Sequence, residues 1–125
     1  MFGVGQCPCG SGSSYDACCG RFHRGAELAA TAHELMRSRY AAYAVDELDY
    51  VFRTWHPRTR PAVPKAQPGT TWVALEILDV VDGGPDDDTG IVEFRAHFRT
   101  PAGADLLHER STFERRAGRW VYVSA

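Results

Sequence analysis

The sequence has no cysteine after residue 19, a single lysine, and no apolar run approaching the roughly 18–20 residues that a membrane-spanning helix needs. Its first six residues lack both the basic head and the apolar core of a signal peptide, so we expect a cytoplasmic protein. A formal net charge of −2 provides no overall attraction to DNA or anionic lipid. The remaining composition, 44% hydrophobic and 24% charged over 125 residues, is typical of one globular domain.

All four cysteines lie close together near the N-terminus, at Cys7, Cys9, Cys18 and Cys19. Disulfides are disfavoured because the cytosol keeps thiols reduced, and a Cys18–Cys19 bridge would close a strained ring. Four clustered thiols in a reducing compartment indicate a metal site instead. Four sulfur ligands suit tetrahedral Zn²⁺, and iron is an alternative in the same site. Because no coordination position would remain for a substrate, the metal is predicted to be structural.

The segment after the cysteines has helical spacing of apolar residues. Thr31 and Glu34 have the Thr-x-x-Glu form of a capping box, which predicts a helix that begins near residue 31. Asp46 is the predicted N-cap of a second helix, which Pro57 should end. Four prolines within residues 57–70 predict an extended loop there.

From residue 71 onward the pattern alternates between apolar and polar residues, as in strands. The sequence predicts antiparallel strands at Thr71–Val81, Ile91–Thr100, Leu106–Glu114 and Arg119–Ser124. Turns are predicted at residues 101–103 and 117–118. The expected fold is an α+β domain over residues 26–125, with its helices on one face of the sheet, and a zinc knuckle over residues 1–25. Three tryptophans should be at least partly buried: Trp55, Trp72 and Trp120.

Two sequence segments carry a resemblance to a known metal-binding motif. Cys-Pro-Cys-Gly-Ser-Gly at residues 7–12, followed by Tyr15 and Cys18-Cys19-Gly20, resembles the SEC-C motif at the C-terminus of the secretion ATPase SecA. The resemblance implies that the four cysteines are the metal ligands. Many SEC-C segments carry lysines between the ligand pairs, but this chain has none there. The residues left for contact with a partner are Arg21, His23 and Arg24.

The rest of the chain resembles the bacterial YchJ family. The resemblance rests on residues 35–43, Thr54-Trp55-His56-Pro57, His108-Glu109-Arg110-Ser111 and residues 118–123. It implies an SEC-C knuckle joined to a cone-shaped domain of the nuclear-transport-factor-2-like (NTF2-like) class, in which helices pack on a curved antiparallel sheet. Other SEC-C proteins are associated with SecA, ribosomes and protein export.

A curved sheet with helices on one face often encloses a pocket. We predict that its lining is drawn from Trp55, His56, Glu109, Arg110 and Trp120. Glu109 shares its parity with core positions, so Arg37 or Arg39 is expected to pair with it inside the domain. Glu93, Arg95 and His97 alternate with the apolar stripe of their strand and should face solvent. The alternative is a His–Glu pair that reaches the pocket and performs general acid–base chemistry there.

Two functions follow from these features. The first is a non-enzymatic adaptor that binds a protein or ribosomal partner through the knuckle, in protein export or quality control. The alternative is a small-molecule-binding protein or an enzyme of the isomerase or dehydratase kind that uses the cone pocket. The closed metal site favours the adaptor.

Overall fold

A computed structural model describes residues 5–63 and 67–125. Three helices come first: α1 at Cys19–His23, α2 at Ala32–Ala44 and α3 at Leu48–Arg53. Four strands follow: β1 at Thr71–Asp82, β2 at Thr89–Thr100, β3 at Gly103–Arg116 and β4 at Arg119–Ser124. Within the described ranges, the longest helix has 13 residues, and none is both long and apolar enough to cross a bilayer.

The start of α2 is as predicted. Thr31 is its N-cap, and the Thr31 hydroxyl accepts a hydrogen bond of 3.0 Å from the backbone N–H of Glu34. The Glu34 carboxylate in turn accepts from the N–H of Ala30 at 2.8 Å. These bonds satisfy backbone donors that a helix start otherwise leaves unpaired.

The prediction for the start of α3 was wrong. Asp46 has a φ of 62° and lies in the turn before the helix, and Glu47 is the N-cap. The helix also ends before Pro57, at Arg53. Thr54 closes it, because its hydroxyl donates back to the carbonyl of Tyr50 at 2.6 Å. Of the predicted loop, residues 64–66 lie outside the described ranges.

The sheet is antiparallel, in the order β1-β2-β3-β4, as the sequence predicts. Two hairpin turns lie where expected. Ala117 and Gly118 both have positive φ, at 51° and 78°, which matches the two-residue turn that fits the twist of a hairpin. The pairing of β1 with β2 shifts register between Trp72 and Ala74 and again between Ile77 and Asp79, and such irregularities bend a strand.

The core lies between α2 and the concave face of the sheet. Its buried side chains come from all three helices and from β2, β3 and β4, and they include Phe22, Leu35, Met36, Val51, Val92, Phe94, Phe113 and Trp120. Trp120 is 2% exposed, whereas Trp55 and Trp72 are half-buried, so the prediction for all three is confirmed. Backbone bonds join Thr54 and His56 to Tyr122 of β4, which ties the end of α3 to the last strand.

The knuckle packs against the helical layer of this domain. The hydrophobic cluster around the cysteines includes Ala41 of α2, and α1 contacts α2 directly. The predicted domain boundary between residues 25 and 26 therefore stays a prediction, and residues 1–4 lie outside the described ranges.

Candidate functional site

The four cysteine thiols meet at one point. Their sulfur atoms all lie within 4.8 Å of one another, and the Sγ atoms of Cys9 and Cys18 are 3.6 Å apart. Three of the cysteines are buried and Cys18 is half-buried. A tetrahedral zinc with bonds of about 2.3 Å would hold its sulfurs roughly 3.8 Å apart, so the spacing suits a metal ion.

The protonation chemistry of the cluster points the same way. Hydrogen bonds from Cys19 and Cys7 lower the pKa of Cys9, whereas the bonds to Cys7 and Cys9 and burial raise the pKa of Cys19. The thiols alone therefore do not all ionise together, because several buried thiolates would repel one another. A divalent cation at their centre would compensate that charge, and the residues present fit a metal site.

The knuckle owes its shape to close backbone approaches. The N–H of Gly20 donates to the carbonyl of Tyr15 at 2.8 Å, and a Cβ at Gly20 would lie 2.7 Å from that same oxygen. Only glycine fits there, which explains its place after Cys18 and Cys19. Ser11 places its hydroxyl 3.1 Å from the sulfur of Cys18.

Two contacts fix the knuckle to α2. The Arg37 guanidinium donates to the backbone carbonyl of Cys9 at 2.6 Å. His23 donates from Nε2 to the carbonyl of Ser38 at 2.8 Å, which leaves Nδ1 to accept from the Tyr15 hydroxyl. Burial lowers the pKa of His23, in keeping with a neutral ring.

The structure corrects part of the predicted partner surface. His23 is 6% exposed and both of its ring nitrogens are engaged, so it is a structural residue and not a surface contact. Arg21 is half-buried and forms a 2.6 Å ion pair with Glu27. Arg24 is exposed, and its carboxylate neighbour Asp16 is 4.0 Å away.

A cavity of about 230 Å³ lies between α2 and the sheet. Its walls are mostly apolar or aromatic: Met36, Tyr43, Trp72, Phe94, Ala96, Leu107 and Tyr122. The polar groups are fewer and include Arg39, Tyr40, Trp55 and Glu109. An apolar pocket with a small number of polar groups is the usual form of a small-molecule site.

Arg39 is the cationic group of the cavity. Its guanidinium lies over the rings of Trp55 and Tyr122, with the Cζ atom 5.1 and 4.7 Å from their centroids. Its Nη1 donates to the carbonyl of Val51 and to the hydroxyl of Thr54, both at 2.8 Å. Burial lowers the pKa of Arg39 to about 10, so the side chain stays charged at neutral pH.

Two buried donors on side chains that line the cavity have no partner in the described part of the chain. The Tyr40 hydroxyl and the indole Nε1 of Trp55 are the buried side-chain polar atoms, within the described ranges, that make no hydrogen bond. Both side chains line the cavity. An unpaired buried polar group costs about 1–3 kcal/mol, so these two atoms are positioned at a cost to stability.

Glu109 enters the cavity from β3, as its parity predicts. Burial raises the pKa of its carboxyl group. The predicted ion pair with Arg37 or Arg39 is wrong: no such pair lies within 4.0 Å in the described part of the chain, and the two arginines bind Cys9 and Val51 instead. The cavity therefore keeps a cation and a carboxyl group that do not neutralise each other.

Three residues predicted to line the pocket lie elsewhere: Arg110, Trp120 and His56. Arg110 is exposed on the outer face of the sheet, because it follows Glu109 directly and neighbouring strand residues face opposite sides. It pairs there with Asp79 and Glu93. Trp120 lies in the core and donates from Nε1 to the carbonyl of Ala30 at 3.1 Å.

His56 is buried, but it packs beside β4 and not in the cavity. Its backbone N–H donates to the carbonyl of Tyr122 at 2.8 Å, and its ring Nδ1 accepts from the N–H of Arg58 at 3.0 Å. Its Nε2 is 3.5 Å from a carboxylate oxygen of Glu114. Of the predicted lining, Trp55 and Glu109 are thus the residues that the structure places in the cavity.

The outer face of the sheet carries paired charges, as predicted for β2. His108 and Arg110 both reach the carboxylate of Glu93, and these hydrogen bonds lower the pKa of Glu93. His97 pairs with Glu76 in the same way. These side chains face away from the cavity, so an acid–base role for them inside it is not supported.

Sequence reasoning missed Tyr40 as a site residue and treated Arg39 only as a partner of Glu109. The available signal was the order of residues in α2, where a charged arginine at position 39 lies within the apolar helical stripe. An arginine in such a stripe indicates a buried charge that needs a partner.

Known proteins share this architecture. A family model described as "YchJ, middle NTF2-like domain" matches residues 31–125. A UPF0225 protein of Streptomyces coelicolor is 54% identical over 117 residues, covering 94% of this chain and 91% of that protein. A UPF0225 protein of Deinococcus radiodurans is 48% identical over 120 residues, covering 95% and 87%.

Two solved structures agree with the fold. The solution structure of a SEC-C motif containing protein from Rhodopseudomonas palustris has a TM-score of 0.83 and 36% identity, covering 94% of both chains. The crystal structure of a SEC-C motif containing protein from Psychrobacter arcticus has a TM-score of 0.79 and 27% identity, covering 94% of this chain and 80% of that one.

Proposed function

Because the chain belongs to the YchJ family and its cone is an NTF2-like domain, we propose that the protein binds a small molecule inside that domain. The observation that carries the proposal is the pair of unpaired buried donors, the Tyr40 hydroxyl and the Trp55 indole N–H, in one cavity. Folded proteins rarely leave such donors unpaired, and a ligand with acceptor atoms would satisfy both.

In this proposal the knuckle is a structural Zn²⁺ site. Zinc would be held by the sulfurs of Cys7, Cys9, Cys18 and Cys19 and would offset the charge of their thiolates; iron is the alternative ion. Arg37 and His23 then transmit the rigidity of the knuckle to α2, the helix that also carries the cavity residue Tyr40.

A cytoplasmic location is part of the proposal. All four cysteines are free thiols, the state that a reducing compartment preserves and that metal binding requires.

The test is a ligand-observed NMR screen of a fragment library against the full-length protein, with Ala96→Leu as the variant that fills the cavity. Ala96 is 2% exposed and lines the cavity, so a larger side chain should exclude ligands. Ala104→Leu, on an exposed position of β3, is the matched control. We expect hits that Ala96→Leu loses and Ala104→Leu keeps. A screen without such hits contradicts the proposal.

A second candidate function is the adaptor that docks a protein or ribosomal partner on the knuckle. Arg24 favours it, since its side chain is 54% exposed, although its guanidinium donates to the backbone carbonyl of Asp16 at 3.1 Å. The corrected docking surface consists of Arg21 and Arg24, without His23.

The adaptor is tested by co-sedimentation with ribosomes and by pull-down from lysate. A double charge reversal, Arg21→Glu with Arg24→Glu, should abolish capture if the knuckle docks the partner. Arg110→Glu reverses a charge on the far face of the sheet and should leave capture intact. Equal capture by both variants would eliminate this candidate.

A further inference from the structure

The cavity holds a buried cation that has no anionic partner among residues 5–63 and 67–125. Arg39 is 5% exposed, and no carboxylate of the described residues lies within 4.0 Å of its guanidinium. Its hydrogen bonds within these residues are made by Nη1 and go to neutral oxygens, those of Val51 and Thr54. A buried charge is normally paired, because its removal from water is costly. An anion from outside the protein would supply such a partner.

The orientation of Arg39 is fixed before any ligand arrives. Its guanidinium packs against the rings of Trp55 and Tyr122, which contact each other, and Nη1 is anchored to the end of α3. A guanidinium held in this way presents its remaining N–H groups in one direction, which suits the two oxygens of a planar carboxylate.

The unpaired donors add to the same recognition. Tyr40 is 3% exposed, and its hydroxyl and the indole N–H of Trp55 are both donors that can bind oxygen. Three kinds of donor in one cavity, of which one is charged, describe a site for an oxyanion.

The rest of the cavity defines the body of the ligand. Aromatic and apolar side chains, among them Trp72, Phe94 and Met36, make most of the wall. An apolar cavity of ~150 Å³ accommodates benzene, and the volume here is about 230 Å³, so one ring with a small polar substituent fits.

We propose that the cavity is a binding site for a small aromatic carboxylate, whose carboxylate group meets Arg39, Tyr40 and Trp55 and whose ring packs against Trp72 and Phe94. The proposal rests on the small-molecule function given above and adds the chemical class. Glu109 lies in the same cavity, and burial raises the pKa of its carboxyl group.

The experiment compares three probes on the full-length protein by isothermal titration calorimetry at neutral pH. Benzoate has the proposed charge and ring, benzamide has the same shape without the charge, and inorganic phosphate has charge without a ring. We expect benzoate to bind at least tenfold more tightly than benzamide, and phosphate not to bind.

The test variant is Tyr40→Phe, which removes one proposed donor and no hydrogen bond of the described protein. It should weaken benzoate binding roughly tenfold, as expected for a hydrogen bond to a charged group, and change benzamide binding less. Tyr50→Phe is the matched control, because that hydroxyl binds Ser38 outside the cavity, and benzoate affinity should stay unchanged.

The outcomes separate the two proposals. Equal binding of benzamide and benzoate, lost in Ala96→Leu, would overturn the carboxylate class and leave the small-molecule function standing. Binding of phosphate alone, or benzoate binding that Tyr40→Phe does not weaken, would also overturn the class. Absence of binding by all three probes would overturn the class, and an empty fragment screen in addition would overturn the function itself.

Discussion

The knuckle and the cavity differ in whether their buried polar groups have hydrogen-bond partners. In the knuckle, the thiols face one another, His23 uses both ring nitrogens, and the carbonyl of Cys9 accepts from Arg37. In the cavity, the Tyr40 hydroxyl and the Trp55 indole N–H have no partner among the described residues. Both regions pack on the same helix, α2.

We interpret the difference as a division between a proposed structural region and a proposed binding region. A region whose polar groups satisfy one another needs at most a metal ion and gains rigidity. A region that keeps donors and a cation unpaired loses stability, and that loss is recovered only when a ligand binds. The sharpest sequence motif therefore marks the structural region, and the less conspicuous residues of α2 mark the proposed binding site.

The largest expected effect comes from breaking the knuckle. Cys18→Ser should release the metal and unfold the segment before α2, because a structural zinc ion, as proposed, would contribute on the order of 10 kcal/mol to folding. The cone should persist, although weakened by the loss of Phe22 of α1 from its core, since the rest of the core cluster comes from α2, α3 and the sheet. Elemental analysis and an amide NMR spectrum provide the measurement.

Ser11→Ala is the control for this prediction. Its hydroxyl contacts the sulfur of Cys18 but is not a member of the cysteine cluster, so the variant should keep one metal ion per chain. Metal retention by Cys18→Ser, or X-ray absorption showing a nitrogen ligand, would contradict an all-sulfur site.

The next largest effect is a difference in stability between variants of two tryptophans. The indole N–H of Trp120 has a hydrogen-bond partner, whereas that of Trp55 has none among the described residues. Trp120→Ala should lower the free energy of unfolding by roughly 3–5 kcal/mol, because it leaves a void in the core and removes the bond to Ala30. Trp55→Phe removes an unpaired N–H and should cost much less. Chemical denaturation of both variants measures the contrast, and similar losses would argue against it.

Two tyrosines give a finer comparison. Tyr50→Phe breaks the 2.8 Å bond to Ser38 and should lower the free energy of unfolding by about 1 kcal/mol. Tyr40→Phe breaks no such bond and should leave stability equal or higher. Thermal denaturation without ligand is sufficient, and a clear loss in Tyr40→Phe would show that its hydroxyl has a partner.

The smallest effect is a pH dependence from Glu109. A carboxyl group whose pKa is raised by folding binds its proton more tightly in the folded state, so stability falls as pH rises from about 4.3 through the raised value. Glu109→Gln should show no such fall in stability. Its stability should match that of the wild type at pH values below this range. Arg39, Tyr43 and Tyr122 face the same cavity, and none of them titrates at mildly acidic pH. Urea titrations across that range test the prediction.

Much of the fold could be predicted because its signals are local. The capping box at Thr31 and the alternation of residues 91–100 depend on neighbouring residues alone, and both predictions are confirmed. Asp46 failed because an aspartate is equally suited to a left-handed turn, and only the path of the chain decides between the two.

The sites were harder to predict because burial is a tertiary property. His23 lies just after the metal motif, yet its ring turns inward and binds the carbonyl of Ser38. Nothing in the sequence around His23 indicates this partner. The cysteine cluster could be predicted from the spacing of the cysteines alone. Prediction of the cavity would have required the position of α2 over the sheet. Arg110 could have been excluded from the sequence, since Glu109 and Arg110 cannot both face inward on one strand.

The bonds between Thr54, His56 and Tyr122 have a consequence for synthesis on the ribosome. The cone cannot close until β4 has left the exit tunnel, because this strand completes the wall beside Trp55. The four cysteines of the knuckle, in contrast, are near one another in sequence, and such local contacts form faster than contacts between distant residues. A nascent chain can therefore carry a finished metal knuckle while its hydrophobic cone is still open, and the last strand sets the moment at which the cavity comes into being.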